Sequence, residues 1–519
     1  MLGVLRRTVT GPRLRVARHK AATLRSRIMP MPLPERLVLT LPATLDAEVK
    51  QGQQVARNQL LARENSTYGR RLHAPTSGQV LSITTIPAPD QNQAPGQQLI
   101  LQVDHEDKGN DLPPIDKPQD RHADEILERI AAAGVVCTDP AQSGAAQRLA
   151  TGRARQAQLI IINAAESEPY LCADEALIRE HAQLVVQGAA LLQQAGLAQR
   201  CVIAFQHGKP AALTALREAL ANSSVELALL PADDYPLGTD PQVIRFIANQ
   251  DVSSGCLPED QGILLFSASD AAAVCQAVTA GLPHTSRVVA LAGQALRTPK
   301  CFVARFGTPI AHLLSLAGCR TEQHTGTLLG GPLCGQQLDN IALPVTVNTT
   351  CVIALGENEA PATPDADDCI RCGDCIDVCP VHLQPQLLLE LNAQQQDLPL
   401  LAHGMADCIH CGACTHVCPS AIDLATQFQH AQQRLIERAD QQQLSQHWQR
   451  RFQFHQYRLK RDRQQAQDHF AAPTATGSDN GSSRDTRFSR DQARNEIADA
   501  VARVRAKRNQ TQQNKDESS

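Results

Sequence analysis

The chain has 519 residues, which is too many for one hydrophobic core and enough for roughly three or four domains. Its net charge of −4 and its aromatic content of 3% argue against a nucleic-acid partner, which would need basic patches and base-stacking rings. Of its 17 cysteines, eight fall in one paired motif and the others are scattered singly, so we predict a reducing compartment and no disulfide framework.

Residues 1–34 form a basic N-terminal arm by composition. No continuous apolar segment follows its arginines, so we expect no secretory signal, and no stretch of the chain approaches the 18 apolar residues typical of a membrane span. The arm is predicted either to be a disordered leader or to be exposed and to contact a partner or an anionic membrane surface.

Residues 35–106 contain short apolar or alternating runs separated by Pro and Gly, which predict a small β barrel or sandwich. The stretch "VKQGQQVARNQLLA" with the later "HAPTSGQV" resembles the hammerhead (barrel-sandwich) of biotinyl and lipoyl carrier domains. Those carriers place a lysine at a hairpin tip, but the equivalent "ENSTYGRR" has none, so we interpret this domain as structural. The polar, proline-rich residues 107–120 are predicted to form a linker.

From residue 120 to residue 282 the pattern alternates between helices, such as "ADEILERIAAAG", and buried strands, such as "AQLIIINAA" and "RCVIAFQ". Alternating strands and helices predict an α/β domain. Residues 283–356 read as strands with one helix and a glycine-rich "LLGGPLCG", which suits a β-grasp-like module. The predicted fold class is therefore multidomain, with α+β and α/β parts.

Two twelve-residue stretches share one cysteine pattern: the first copy, "CIRCGDCIDVCP" (Cys369–Pro380), and the second copy, "CIHCGACTHVCP" (Cys408–Pro419). Each reads C-x2-C-x2-C-x3-C-P, the bacterial ferredoxin spacing for [4Fe–4S] clusters, in which the fourth cysteine ligates the other cluster. The first predicted cluster takes Cys369, Cys372, Cys375 and Cys418, and the second takes Cys408, Cys411, Cys414 and Cys379.

Zinc is the alternative metal for such thiols. Zinc sites usually combine two CxxC pairs with a wider separation, so overlapping copies ending in CP fit zinc poorly. Gly373 and Gly412 follow the second cysteine of each copy and allow the backbone to approach a cluster closely. We expect two [4Fe–4S] clusters that carry single electrons.

The segment between the copies, "VHLQPQLLLELNAQQQDLPLLAHGMAD", contains helical patterns, so residues 366–432 are predicted to form a helical two-cluster ferredoxin domain. Residues 358–367 are expected to be a second linker. The tail, residues 433–519, is predicted to be a charged, Gln-rich helix followed by a low-complexity disordered part and a short final helix.

The order of these parts, together with "HAPTSGQV", "NAAESEPYLCADE", "FGTPIAHLL", "GGPLCG" and the cysteine runs, resembles the RnfC subunit of the Rnf (Rsx) electron transport complex over roughly residues 35–430. The resemblance implies an ion-translocating oxidoreductase of the bacterial inner membrane, with this subunit peripheral on the cytoplasmic face. It also implies partners among the other subunits and exchange of electrons with NADH or ferredoxin. The α/β domain would be similar to the flavin-carrying subunit of respiratory complex I, with FMN and an NADH site.

The resemblance carries four residues to a flavin or nucleotide site: Glu166, Glu168, Tyr170 and Asp174, in the acidic segment "ESEPYLCAD". The sequence departs from the family at the glycine-rich loop that would approach the flavin phosphate, where it reads "GVVCTDPAQSGAAQRL". Only Gly134 and Gly144 remain, and Asp139 adds a negative charge that would oppose a phosphate. The altered loop therefore makes FMN binding doubtful.

Two functions remain open. In the first, the chain is an iron–sulfur subunit that passes electrons from NADH- or ferredoxin-side donors through two clusters to membrane subunits. In the second, it is a relay or docking subunit with a degenerate flavin and NADH site and no dehydrogenase activity of its own. The altered glycine loop favours the second.

Overall fold

The computed structural model describes most of the chain, which divides into two units, residues 1–439 and residues 440–519. Within the described residues no helix is both long and apolar enough to cross a membrane. The described residues are 14–86, 95–232, 235–252, 256–357, 359 and 366–471.

The described part of the N-terminal arm packs against the rest of its unit. Lys20 is buried, and Arg179 donates to the carbonyl of Leu24. A short strand, β1 (Met29–Pro30), pairs with a strand of a later sheet. The expectation of a leader or an exposed arm is wrong here, because distant side chains satisfy the backbone of the arm; the first 13 residues lie outside the described residues.

The next region is a sandwich of short strands. Its two sheets have the orders β2-β8-β7-β4 and β3-β5-β6, and every pairing is antiparallel. Leu37, Leu39 and Leu41 are buried at alternate positions of one strand, as expected when one face of a sheet covers a core. The strands are β2 (Arg36–Leu41), β3 (Asp46–Ala47), β4 (Gln54–Val55), β5 (Leu60–Arg63), β6 (Arg71–His73), β7 (Gly78–Ile86) and β8 (Gly96–Val103).

An α/β layer follows, built on a parallel sheet of order β11-β10-β9-β12. Its strands are buried runs such as Ile160–Ile162, as in sheets covered by helices on both faces. The elements are α1 (Ala123–Ala132), α2 (Ala145–Ala154), β9 (Leu159–Ala164), α3 (Ala173–Gly196), β10 (Arg200–Gln206), α4 (Pro210–Leu220), β11 (Glu226–Leu230), α5 (Asp240–Ala248), β12 (Ile263–Ser267) and α6 (Ala268–Cys275). The strands and helices predicted from residues 120–282 are thus present.

The strand order of this sheet reverses between β9 and β12. In open parallel sheets, ligands bind outside the carboxyl ends of the strands at such a reversal. The acidic segment after β9 and the start of α6 after β12 both lie at this edge, so the topology places the predicted nucleotide-site residues where a ligand crevice forms.

A mixed sheet of order β1-β14-β13-β17-β15-β16 comes next. Along β13, Val288 and Ala290 belong to the core of the α/β layer, whereas Val289 and Leu291 belong to the core of the β sandwich. The alternation places this sheet between the two neighbouring regions. Its elements are β13 (Ser286–Ala292), β14 (Lys300–Arg305), α7 (Ile310–Leu316), β15 (Gly326–Leu329), β16 (Gln336–Leu338) and β17 (Cys351–Leu355).

The cysteine-rich region is helical. It has a small core of its own that includes Leu388, Leu400, Met405 and Phe428. Its helices are α8 (Asp374–Asp377), α9 (Pro385–Ala393), α10 (Asp397–Ala402), α11 (Ala413–His416) and α12 (Leu424–Ala471).

Helix α12 has 48 residues, which confirms the long helix predicted for the tail. Between residues 440 and 464 its side chains are exposed, as its sparse apolar positions suggest. The predicted low-complexity segment and final short helix lie outside the described residues, as does most of the predicted linker at residues 358–367.

Candidate functional site

Four thiols from both copies of the cysteine motif line one cavity, the first cavity. Cys369, Cys372 and Cys375 come from the loop that begins the first copy, and Cys418 comes from the end of the second copy. Apolar side chains complete the wall, including Leu389 and Ile422.

A second cavity repeats this arrangement with the copies exchanged. Cys408, Cys411 and Cys414 come from the second copy, and Cys379 comes from the end of the first. The wall includes Leu383 and Phe428. The structure therefore brings together both sets of four cysteines in the crosswise grouping expected from the spacing.

The thiols surround a space and do not converge on a point. Among the described residues no three His, Cys, Asp or Glu side chains meet closely enough to hold a single metal ion. A cubane needs one thiolate for each of its four irons, so its ligands surround a cube in this way, whereas a zinc ion draws four ligands to one centre. The donor set fits two [4Fe–4S] clusters.

The second cavity needs a positive group to hold thiolates. Burial raises the pKa of both Cys411 and Cys414 to about 12, so these thiols stay protonated at neutral pH without a metal. Bound irons would supply the opposing charge at Cys411 and Cys414, and their binding would displace the thiol protons.

The surroundings of the two cavities differ. At the first, Cys369 and Cys372 are exposed, and Ile370 between them is 68% exposed. At the second, Cys379 and Cys411 are buried. The cysteines around the first cavity are therefore more exposed than those around the second.

The loop between β15 and β16, "GGPLCG", covers the second cavity. A Cβ on Gly412 would lie 2.1 Å from the carbonyl oxygen of Leu333, so only glycine allows this approach. In the same loop the Cys334 Sγ lies 3.4 Å from the carbonyl oxygen of His410. The ligand-bearing loop is therefore in direct contact with the mixed sheet.

Tyr235 from the α/β layer reaches the same place. Its hydroxyl donates to the carbonyl of Cys411 and lies 3.0 Å from the Cys334 Sγ. Its backbone pairs with Leu14 through two 3.1 Å hydrogen bonds, and the side chain is 2% exposed. Three separate regions thus meet at one ligand residue of the second cavity.

Glu168, one of the predicted nucleotide-site residues, supports this contact. One carboxylate oxygen accepts from the backbone N–H groups of Leu333 and Cys334 at 2.7 and 2.8 Å. Burial raises the pKa of Glu168 above its ordinary value. Its observed role is to hold the "GGPLCG" loop over the second cavity.

Glu166 is also engaged by its own chain. Its carboxylate accepts from the N–H groups of Asp174 and Glu175 at 2.9 Å each, at the start of α3. A helix N-terminus is the natural place for an anionic ligand group, and here a side chain occupies it. Lys20 donates to the Glu166 carbonyl, and the buried Nζ of Lys209 lies 3.8 Å from the Glu166 carboxylate.

Tyr170 and Asp174 complete the predicted set. The ring of Tyr170 stacks on His19 from the N-terminal arm, with 5.1 Å between ring centroids, and its hydroxyl bonds to Glu359. Asp174 accepts from Ser269 at 2.8 Å, and burial together with the Glu166 charge raises its pKa to about 7. The arm therefore lies directly on the predicted nucleotide site.

The loop that replaces the glycine-rich motif is held in a closed conformation by hydrogen bonds within the chain. Asp139 accepts from both the backbone and the hydroxyl of Ser143 and lies 3.4 Å from Arg148. The N–H of Cys137 bonds to the Ser143 carbonyl, and that of Thr138 bonds to Asp270. Because these amides are already engaged, this loop does not fit a flavin phosphate.

Several of these residues were not found by sequence reasoning: Lys20, Lys209, Tyr235 and Cys334. Tyr235 and Cys334 lie in "YPLGTD" and "GGPLCG", whose letters carry a family resemblance but no indication of a contact with a cluster loop. One usable signal was present in the cysteine copies. The first carries charged residues between its cysteines, and the second carries Ala and His, which indicates that only the second is covered.

Three family models match the chain. The RnfC barrel sandwich hybrid domain matches residues 13–106, the Nuo51 FMN-binding domain matches residues 130–276, and a 4Fe-4S dicluster domain matches residues 368–422. The chain is thus a mixed α/β multidomain protein with these three domains.

Two relatives illustrate what the chain is similar to. The RnfC subunit of the ion-translocating oxidoreductase complex of Pseudomonas aeruginosa is 35% identical over 439 residues, which cover 84% of this chain and 57% of that protein. The chain thus spans little more than half the length of that relative. A chain of an NAD+-reducing [NiFe]-hydrogenase in the H2-reduced state aligns only weakly, with a TM-score of 0.42 and 15% identity over 63% of this chain and 64% of that one.

The corresponding RnfC protein of Rhodobacter capsulatus is 32% identical over 383 residues, which cover 72% of this chain and 73% of that protein. The chain belongs to the RnfC family, the C-type subunits of ion-translocating oxidoreductase complexes.

Proposed function

We propose that this chain is the peripheral iron–sulfur subunit of an ion-translocating oxidoreductase complex and carries electrons through two [4Fe–4S] clusters. The two cavities, each lined by four thiols in crosswise grouping, carry this proposal. Cys369, Cys372, Cys375 and Cys418 hold the first cluster; Cys408, Cys411, Cys414 and Cys379 hold the second. A cluster supplies one-electron transfer, while the chain orients it and excludes water.

The positions of the two cavities support a proposal about where electrons enter and leave the chain. Cys411 at the second cavity contacts Tyr235 of the α/β layer, and the exposed Cys369 and Cys372 at the first cavity lie where a redox partner can approach. The partners we propose are other subunits of the complex, with NADH or ferredoxin on the donor side and no nucleic acid. We place the chain on the cytoplasmic face of the bacterial inner membrane, held there by those subunits.

The domain limits proposed are residues 35–106 for the barrel-sandwich (hammerhead) domain and 120–282 for the α/β domain resembling the complex I flavin subunit. Residues 283–356 form a β-grasp-like module and 366–432 a helical two-cluster ferredoxin domain. Support for the β-grasp name comes from the strand order β14-β13-β17-β15, whose central pair is parallel.

A second candidate function, a relay or docking subunit with no NADH dehydrogenase activity of its own, has a specific observation in its favour. The loop around Asp139 is closed by its own hydrogen bonds, and residues 18–20 lie on the acidic segment. Glu166, Glu168, Tyr170 and Asp174 are then structural residues of a degenerate nucleotide site.

Anaerobic purification tests the cluster proposal. The wild-type chain should carry about eight irons, the number in two [4Fe–4S] clusters. Cys372→Ala should remove most of one reduced-cluster signal in electron paramagnetic resonance (EPR), and Cys411→Ala should remove the other. A chain with zinc and no paramagnetic centre after dithionite treatment would contradict the proposal.

Acid extraction separates the two candidate functions. The relay function predicts little or no FMN in the extract and no bleaching of cluster absorbance by NADH. Stoichiometric FMN with NADH-dependent bleaching would establish the dehydrogenase function and refute the degenerate site.

A further inference from the structure

Two consecutive carbonyls of the second ligand loop receive contacts from outside the cysteine-rich region. The carbonyl of Cys411 accepts from the Tyr235 hydroxyl, and the carbonyl of His410 lies 3.4 Å from the Cys334 Sγ. The two outside groups also touch each other at 3.0 Å. At Gly373, which in the first copy corresponds to Gly412, no atom of the other described residues beyond its chain neighbours lies within 4 Å of where its Cβ would be.

The hydroxyl of Tyr235 acts as the donor in this contact, because the carbonyl oxygen of Cys411 can only accept. The Cys334 thiol, 3.4 Å from the His410 carbonyl, is a second and weaker donor. The contact therefore presents two donors to the ligand loop.

A donor on a ligand residue's carbonyl changes the electrostatics of a cluster. A bare carbonyl oxygen places the negative end of a dipole near the cluster and disfavours the extra electron of the reduced state. Hydrogen bonds around a cluster and its exposure to solvent are established determinants of its reduction potential. Donation by Tyr235 withdraws part of that negative potential and so favours reduction.

We propose that Tyr235 is a positioning residue for the second cluster: with Cys334, it fixes the Cys411 loop against the α/β layer and raises the reduction potential of that cluster relative to the first. This inference rests on the proposed ligation by Cys408, Cys411, Cys414 and Cys379. With this contact, it is the reduction potential of the second cluster that responds to changes in the α/β layer, although the two cysteine motifs are alike.

A potentiometric EPR titration of the anaerobic full-length chain tests the proposal. Tyr235→Phe keeps the ring and removes only the hydroxyl. In this variant the equilibrium constant for one-electron reduction of the second cluster should fall several-fold to about tenfold. A tenfold fall corresponds to a reduction potential lower by about 59 mV for a one-electron couple. The signal lost in Cys411→Ala identifies which cluster has moved.

Tyr457→Phe is the matched control, because Tyr457 is 63% exposed on α12 and should leave both potentials unchanged. Unchanged potentials in Tyr235→Phe, or equal shifts of both clusters, would overturn the proposal. If Tyr235→Phe loses iron, Cys334→Ala decides: a shift of the second cluster alone supports the proposal. Loss of that cluster in both variants would leave only a structural role and overturn it.

A wild-type chain without iron–sulfur clusters would instead refute the proposed function. The two failures are distinct, because iron content and the wild-type EPR signals are measured before any potential is compared.

Discussion

The two copies of the cysteine motif share their ligand spacing and differ in their surroundings. The first copy faces solvent, with Asp374 exposed beside its ligands. In the second copy the equivalent residue is Ala413, which is 0% exposed and packs with Tyr235 and Cys411. Removing a charged group from water without a partner is costly, so the residues between the cysteines decide which copy can be covered.

The shared motif therefore places the thiols around each cavity, and the residues between the cysteines set the electrostatic environment of each copy. Arg371 in the first copy forms a 3.2 Å ion pair with Glu390 at the surface. The matching His410 bonds to Gln432, which also donates to the Cys408 carbonyl at 3.0 Å. One loop remains open to a partner, and the other is fixed from several sides.

The largest expected effect comes from giving the second copy the charge of the first. Ala413→Asp buries a carboxylate without a partner, which costs about 3–5 kcal/mol. We expect loss of the second cluster's EPR signal and a lower melting temperature. Asp374→Ala is the matched control and should change neither. Equal behaviour of the two variants would remove the distinction between a covered and an open copy.

A smaller effect is expected from paired glycine substitutions. Both glycines have positive φ, +68° for Gly412 and +94° for Gly373, so an alanine is strained at either place. Only the new Cβ of Gly412→Ala also clashes with the Leu333 carbonyl, which adds about 1–3 kcal/mol to the loss of folding stability. Denaturant unfolding and iron content should therefore separate the two variants. Equal losses would show that the close contact does not stabilise the second copy.

Glu168 tests the support behind the covered copy. Glu168→Ala leaves the buried N–H groups of Leu333 and Cys334 without their acceptor, which costs about 1–3 kcal/mol. Glu168→Gln should retain most of the stability, because a single oxygen accepts both bonds. The free energy of unfolding measures both variants. A large loss in the Gln variant would indicate that the carboxylate charge, and not its acceptor oxygen, holds the loop.

A further prediction is a dependence of stability on pH. The pKa of Asp174 is raised from 3.8 to about 7, so the folded state keeps a proton that the unfolded state has released. The contribution of Asp174 to the free energy of unfolding is therefore greatest below about pH 4 and falls as the pH rises to about 7. Asp174→Asn should flatten the fall in melting temperature over this window, by roughly a few degrees. An unchanged pH profile would contradict the raised pKa.

Much of the fold could be predicted from local patterns. The helical periodicity of α1 and α3 and the apolar runs of β9 and β10 appear where the sequence places them. The cysteine spacing also predicted which four thiols share each cavity. The packed arm was missed, because Lys20 finds its acceptor in Glu166, which is 146 positions away. No local pattern contains such a pair.

The sequence alone was enough to identify which four thiols line each cavity, because the fixed spacing within a short loop limits which thiols can meet. It also determined the alternation of strands and helices, since burial of one face imposes a period on apolar residues. Only the tertiary structure decided that Tyr235 meets Cys411, which is 176 positions away, and that Glu166 and Glu168 serve their own chain. These contacts arise from packing between regions, where distant backbone groups must find hydrogen-bond partners once water is excluded.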